Sequence, residues 1–309
     1  MTNQIPVTYL PLQGTLSSTL SATSLAQVQA MFPGFKTPFP NYTGTVAQAL
    51  RPYPQYGAIA DPWLDVGNST YNSLQMSLSQ RLSHGLTYMF NYTYSKQLDD
   101  LVGVRDPNKD FLEKGPGVID HPTVVSATIV YQLPFGAGKL KSDFQPLNAV
   151  ISHWQFSGIF TYGGGAPLSI TGTCNGGGII DASCYPNDAP DFSGSVWQNG
   201  TPGTGNITTT SYLNKAAFVD PAAYTVGNIP RAAPYGLFAP HNADVDITVR
   251  REFVIRERIR LAFQADAFNV NNAVHFAAPG LGIDSATFGI FSAIANSPRK
   301  LQFSSRVTF

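Results

Sequence analysis

Few side chains in this sequence are grouped for chemistry. Asp244 and Asp246 are two residues apart. On an extended strand that spacing sets both carboxylates on one face, about 7 Å apart, where a pair can exchange protons or hold a cation. Arg250 and Arg260 share their parity across a hairpin, so an ion-pair lattice is the better reading, and Asp266, Lys300 and Arg306 extend it. Asp120-His121 has the composition of a base and its orienting acid, but no serine in a sharp nucleophile turn stands beside it. His84, His121, His153, His241 and His275 lack the converging spacing a metal needs. Asp99, Asp100 and Asp106 mark an acidic loop, better read as solvated than as a calcium site. Gly163-Gly-Gly165 and Gly176-Gly-Gly178 have no following helix and lysine to cradle phosphate. Cys174 and Cys184 lie in one Gly-, Asn- and Asp-rich stretch and read as a local disulfide, hence an oxidising compartment. No catalytic constellation forms, so neither an enzyme nor a cofactor is expected.

The elements that must carry these groups are strands. Seven segments alternate with period two: 71–82, 86–95, 124–133, 153–162, 244–250, 259–268 and 300–309. One face collects residues such as Leu74, Tyr88, Phe90, Ile129, Phe160, Val245, Leu261, Phe303, Val307 and Phe309, and none of its members is charged. The other face holds Arg81, Asp244, Asp246, Arg250, Arg260, Asp266, Lys300 and Arg306 among Ser, Thr, Asn and Gln. Segments of about ten residues are long enough to cross a bilayer as tilted strands. Tyr92, Tyr94, Trp154, Tyr162 and Phe309 mark segment ends on the apolar face, where amphipathic rings form interface belts. Connections alternate between long (96–123, 163–243, 270–298) and shorter (83–85, 134–152, 251–258). One rim of long loops and one of tighter turns is the layout of an outer-membrane barrel.

Composition agrees. The chain has 309 residues, 19 Lys+Arg against 19 Asp+Glu, and only 12 % charged residues, about half the ~25 % usual for a soluble domain. Zero net charge excludes an electrostatic nucleic-acid binder. Its 14 Tyr, 20 Phe, 28 Gly and 23 Pro favour extended chain and turns over helical bundles. No run of about 18 apolar residues is present, so no transmembrane helix is expected. Residues 1–70 read as an outer loop region with little regular structure, and 71–309 as barrel strands and loops. Seven strands are too few and odd in number for a typical single-chain barrel. The chain is therefore expected to be the C-terminal portion of a larger antiparallel β-barrel, which explains the lack of a leader at its start.

Several short motifs, in order, carry a resemblance. They include Arg81-Leu-Ser-His-Gly-Leu86, Tyr92-Thr-Tyr-Ser-Lys96, Tyr131-Gln-Leu-Pro-Phe-Gly136, Trp154-Gln-Phe-Ser-Gly158, Ala265-Asp-Ala-Phe-Asn269 and Ser297-Pro-Arg-Lys-Leu-Gln-Phe303. Together they resemble the C-terminal barrel segment of Oar-like TonB-dependent outer-membrane receptors. The resemblance implies bacterial outer-membrane localisation, contact with outer-membrane lipid, and uptake of an unidentified ligand. It implies that the TonB system reaches this segment only through a plug domain that these residues do not include. Phe303, Val307 and Phe309 look like the C-terminal signal read by the barrel-assembly machinery. The alternatives are a non-energised outer-membrane pore or adhesion protein, and a soluble carbohydrate-binding β-sandwich with its apolar face packed inside.

Overall fold

The computed structural model describes residues 3–57, 59, 67–100, 113–135, 145–173, 184–199, 209–222, 225–256 and 259–309. The long strands are β1 (Ser69–Ser83), β2 (Leu86–Asp99), β4 (Thr123–Gln132), β5 (Trp154–Gly163), β8 (Asn242–Arg256), β9 (Ile259–Phe268) and β10 (Lys300–Thr308). The two-residue strands are β3 (Gly115–Pro116), β6 (Asn187–Asp188) and β7 (Phe218–Val219). The main sheet is an antiparallel meander, β1-β2-β4-β5-β8-β9-β10, with β3 paired to the far end of β2. Among the described residues it is open: β1 pairs only with β2 and β10 only with β9. Both edge strands run from the long-loop rim to the short-turn rim. The soluble sandwich does not match this arrangement, because among the described residues no second sheet packs on the apolar face.

Alternation sets the strands and the turns set their register. Between β1 and β2 the chain reverses through His84 (φ 52) and Gly85 (φ 83), two successive left-handed residues. That handedness matches the twist of a tight hairpin. Glycine is required at 85, since a Cβ there would meet the Gln132 carbonyl oxygen at 2.7 Å. Strand β8 departs from the sequence expectation. It continues to Arg256, so the 251–258 connection is mostly strand. The alternation that ends at Arg250 hides this extension, because Arg251 then falls on the apolar face.

Two compact units accompany the sheet, one within residues 3–57 and one in the long connections. Residues 3–57 hold two short α-helices, a short 3-10 helix and otherwise irregular chain. Helix α1 (Ala22–Met31) starts at a capping box in which Ser21 and Ser24 satisfy each other's backbone N–H. Helix α2 (Val46–Ala49) is capped by Thr45. Around them Leu12, Leu16, Val28, Val46 and Leu50 form a buried core. Its helices are short, and Leu16, Leu20 and Leu50 join the core from outside them, so no single period marks it in the sequence. Helix α3 (Gln145–Ile151) lies on the opposite rim, between β4 and β5.

The second unit is built from the 164–241 and 269–299 connections. Leu168, Ile170, Leu213, Phe218, Ile283 and Phe288 form its core. Each fully buried side chain of this size contributes about 1.5–3 kcal/mol, enough for such loops to order without long ladders. Gly165 lets its base close: a Cβ there would lie 1.6 Å from the Ala239 carbonyl oxygen, and Ala239 N–H donates to Ala166 at 2.8 Å. Gly164 and Gly165 thus mark a close backbone approach, while a Cβ at Gly163 would meet open space.

Candidate functional site

Register brings the apolar residues of all seven long strands onto one continuous surface. Across it run Leu78↔Phe90, Phe90↔Ala127, Ala127↔Phe160, Phe160↔Val245, Val249↔Ala265 and Ala265↔Phe303. The surface is uncovered: Leu301 is 63 % and Phe303 78 % exposed. A contiguous apolar area of this extent needs a non-aqueous neighbour. β5 offers ten residues and lies opposite 242–251 of β8, one bilayer crossing. At the short-turn end of that span Trp154 faces Arg251. The Arg251 guanidinium lies 3.9 Å from the Phe253 ring centre and 5.4 Å from that of Trp154. Phe303, Val307 and Phe309 lie at this surface's last strand or just beyond it, all largely exposed.

The opposite face carries the charges, but not in the expected pairs. Asp244 and Asp246 pair with neither Arg250 nor Arg260. Both arginines reach Glu252, each at 3.1 Å. Glu252 falls within the extension of β8, so an early strand end left it out. Asp244 instead faces Nδ1 of buried His275 at 3.3 Å. Asp246 accepts the Asn269 backbone N–H at 2.8 Å. Asp266 accepts from Thr248 (2.7 Å) and Gln264 (2.9 Å). Lys300 donates to Ser297, and Arg306 faces Ala262 across the β9–β10 ladder. The compact lattice is therefore the Arg250–Glu252–Arg260 triad, and the two aspartates serve as loop anchors.

Asn269 is the centre of that anchoring. Buried and left-handed (φ 48), it donates from Nδ2 to the Ala273 and Ser297 carbonyls and accepts the Ala273 N–H. Asn272 accepts the Arg299 N–H at 3.0 Å. The motifs ending at Asn269 and starting at Ser297 thus form one clasp at the foot of the last long loop. Asp120 accepts the Gln97 N–H, and His121 Nδ1 lies 2.7 Å from the Gly164 carbonyl oxygen. Both side chains bind neighbouring backbone.

The outer cap is tied to the sheet by a buried ion pair. Arg231 is 2 % and Asp99 6 % exposed, with Nη2 and Oδ1 2.5 Å apart. Arg231 also donates to the Asp99 carbonyl (3.0 Å) and the Glu113 carbonyl (3.1 Å). Asp99 therefore belongs to a structural pair, while Asp100 accepts the Asn68 N–H. That N–H above all holds the Asp100 carboxyl below its usual pKa. On the cap's far side Asp220 accepts the Thr173 N–H (2.9 Å) and Asp284 the Thr173 hydroxyl (2.6 Å). Lys215 lies 3.7 Å from Asp284. The Thr173 hydroxyl, with Lys215 adding to it, lowers the Asp284 pKa. Cys174, Asp106 and Gly176-Gly-Gly178 lie outside the described residues. The Cys184 carbonyl accepts from Gly172 N–H at 3.2 Å, which brings Cys184 beside the chain leading to Cys174. Sequence reasoning gave no role to Arg231, Glu252 or Asn269, of which only Asn269 lay in a quoted motif, and it weighed His275 only as a metal ligand.

A cavity of about 520 Å³ opens at the short-turn rim, lined in part by His84, Gln132, His153, Gln155 and Glu252. Among the described residues no group of His, Cys, Asp and Glu is arranged to hold a metal ion, and no helix is long and apolar enough to cross a membrane.

Comparison with curated proteins and with solved structures found no match. Residues 13–302 match a family model described as an outer membrane beta barrel domain. With that match over nearly the whole chain and an exposed apolar surface one bilayer deep, this is a bacterial outer-membrane β-barrel protein, a member of the outer membrane beta barrel domain family.

Proposed function

We propose that the chain is the barrel segment of a TonB-dependent receptor that takes up a ligand across the outer membrane. The observation that carries this reading is the ordered outer cap. Loops with their own core and a buried ion pair to the sheet can present a fixed recognition surface at the mouth of a barrel. Below it the polar face would line the passage, with the Arg250–Glu252–Arg260 triad toward the inner end. Outer-membrane lipid covers the apolar face, and Phe303, Val307 and Phe309 present the signal to the barrel-assembly machinery. No enzymatic step or cofactor is part of this function.

The test is solute uptake in a host carrying the complete receptor that contains this chain. A library of labelled solutes is screened for accumulation that depends on the receptor, then repeated in a strain lacking TonB. Uptake lost without TonB supports the reading. Uptake that persists overturns it in favour of a non-energised pore. Binding to cells with no uptake under either condition favours adhesion.

A further inference from the structure

Four elements meet at the short-turn cavity, and the backbone locks each to the next. Gln132 N–H donates to the Gly85 carbonyl at 2.8 Å, Leu133 N–H to that of Trp154 at 2.9 Å, and Glu252 N–H to that of His153 at 3.3 Å. The β1–β2 turn, the end of β4, the start of β5 and the extension of β8 therefore hold one fixed shape. Register sets Gln132 opposite Gln155 and Gln155 opposite Arg250 on the polar face, and the same level continues through Gln264 to Ser304. At about 520 Å³ the cavity has the size of a small-molecule site.

Its lining suits an uncharged polar ligand. Among the described residues it includes no lysine or arginine, and Glu252 is its one carboxylate. Both oxygens of that carboxylate are engaged, Oε2 by Arg250 and Oε1 by Arg260. A cation thus finds no free carboxylate there, and an anion finds no lysine or arginine. Hydrogen bonding remains open. Among the described residues the Gln132 carboxamide and the His153 imidazole have no hydrogen-bond partner, and Gln155 engages only Nε2, at 3.4 Å from Ser157 Oγ. His84 meets Ser83 through Nδ1, which leaves Nε2 for the cavity. A carboxamide holds a donor beside an acceptor, the complement of a hydroxyl that both gives and takes. Phe135, 43 % exposed, adds an aromatic wall.

We infer that this cavity binds an uncharged saccharide, its hydroxyls on Gln132, Gln155 and the two imidazoles and one C–H face of its ring against Phe135. Gln264 and Ser304 would serve further units of a longer chain, one strand spacing of about 4.8 Å after another. The inference rests on reading the polar face as the wall of an aqueous passage; it does not rest on TonB.

The experiment uses the complete receptor that contains this chain, purified from outer membranes in mild detergent. Isothermal titration compares four uncharged disaccharides (maltose, cellobiose, lactose and trehalose) with an anionic galacturonate dimer and a cationic glucosamine dimer. The site predicts saturable binding of at least one uncharged sugar, about tenfold or more tighter than either charged dimer, since a charge would be desolvated there without a partner. Gln132→Leu and Gln155→Leu should each weaken that binding about two- to tenfold, the effect of one neutral hydrogen bond. Gln75→Leu, on the same face nearer the long-loop rim, should leave it unchanged. Binding of none of the uncharged sugars overturns the proposal, as does a charged dimer that binds as tightly. Binding untouched by both inner substitutions overturns it too, by placing the sugar elsewhere, and so does an equal loss in Gln75→Leu. Should a leucine variant fail to assemble, Gln132→Asn and Gln155→Asn, which keep the amide but shorten its reach, replace it with the same expected direction. Titration needs no TonB, so failure here leaves the transport reading to its own uptake test.

Discussion

Arg231→Met removes the cation that ties the outer cap to the sheet. The side chain is nearly fully buried, and three hydrogen bonds go with it: one to the Asp99 carboxylate and two to backbone carbonyls of Asp99 and Glu113. Methionine fills similar volume, so the loss is electrostatic. It strands a buried carboxylate, which costs about 3–5 kcal/mol. If the cap opens locally, that loss raises its open population about 150- to 5,000-fold. At low protease, cleavage follows the open population. Protease added to intact cells should therefore cut the outer loops of Arg231→Met faster by a factor in that range. The double variant Arg231→Met, Asp99→Leu should recover part of the loss, because it leaves no buried charge unpaired. Wild-type cleavage in Arg231→Met would refute the reasoning, and so would a double variant as fragile as the single.

Three further outcomes follow from other parts of the fold. Ile129→Arg on the apolar face of β4 should cost about 2–4 kcal/mol and sharply reduce heat-modifiable protein in outer membranes, while Thr128→Arg on the opposite face should assemble normally. Gly85→Ala should cost about 1–3 kcal/mol through its positive φ and its approach to Gln132, read as a lower denaturant midpoint of the assembled barrel. The depressed pKa of Asp284 means that its contribution is complete above the usual carboxylate value of about 3.9 and is lost as pH falls through its lower folded value. Amide exchange at Thr173, with the intrinsic pH dependence removed, should therefore quicken only in strong acid, and Asp284→Asn should flatten that response.

The strands were legible because a bilayer-facing sheet must alternate without interruption. All seven appear within a few residues of their expected bounds except β8. That exception shows the limit of the pattern: it ends where a charge intrudes, and Arg251 intrudes because an interface tolerates it. The cap and the 5–50 unit were hidden for another reason. The cap's core comes from irregular chain such as Leu168, Ile229 and Ile283, and the 5–50 unit joins three short helices to residues such as Leu16 and Leu20, so no fixed period links neighbours in sequence to neighbours in space. The same holds for the ion pairs. Asp99 and Arg231 are 132 residues apart, and charge alone gave Asp244 several equivalent partners before folding placed His275 beside it.

The shared direction of β1 and β10 constrains any closed ring built on this sheet. Zipping those two edges together directly would make one parallel seam in an otherwise antiparallel wall. An all-antiparallel circuit instead requires an insert whose first and last staves both climb from periplasm to exterior, and such an insert contains an odd number of staves. A second copy of the seven-stave arc cannot meet this condition, because at each of its two junctions both neighbouring staves would again descend side by side in parallel.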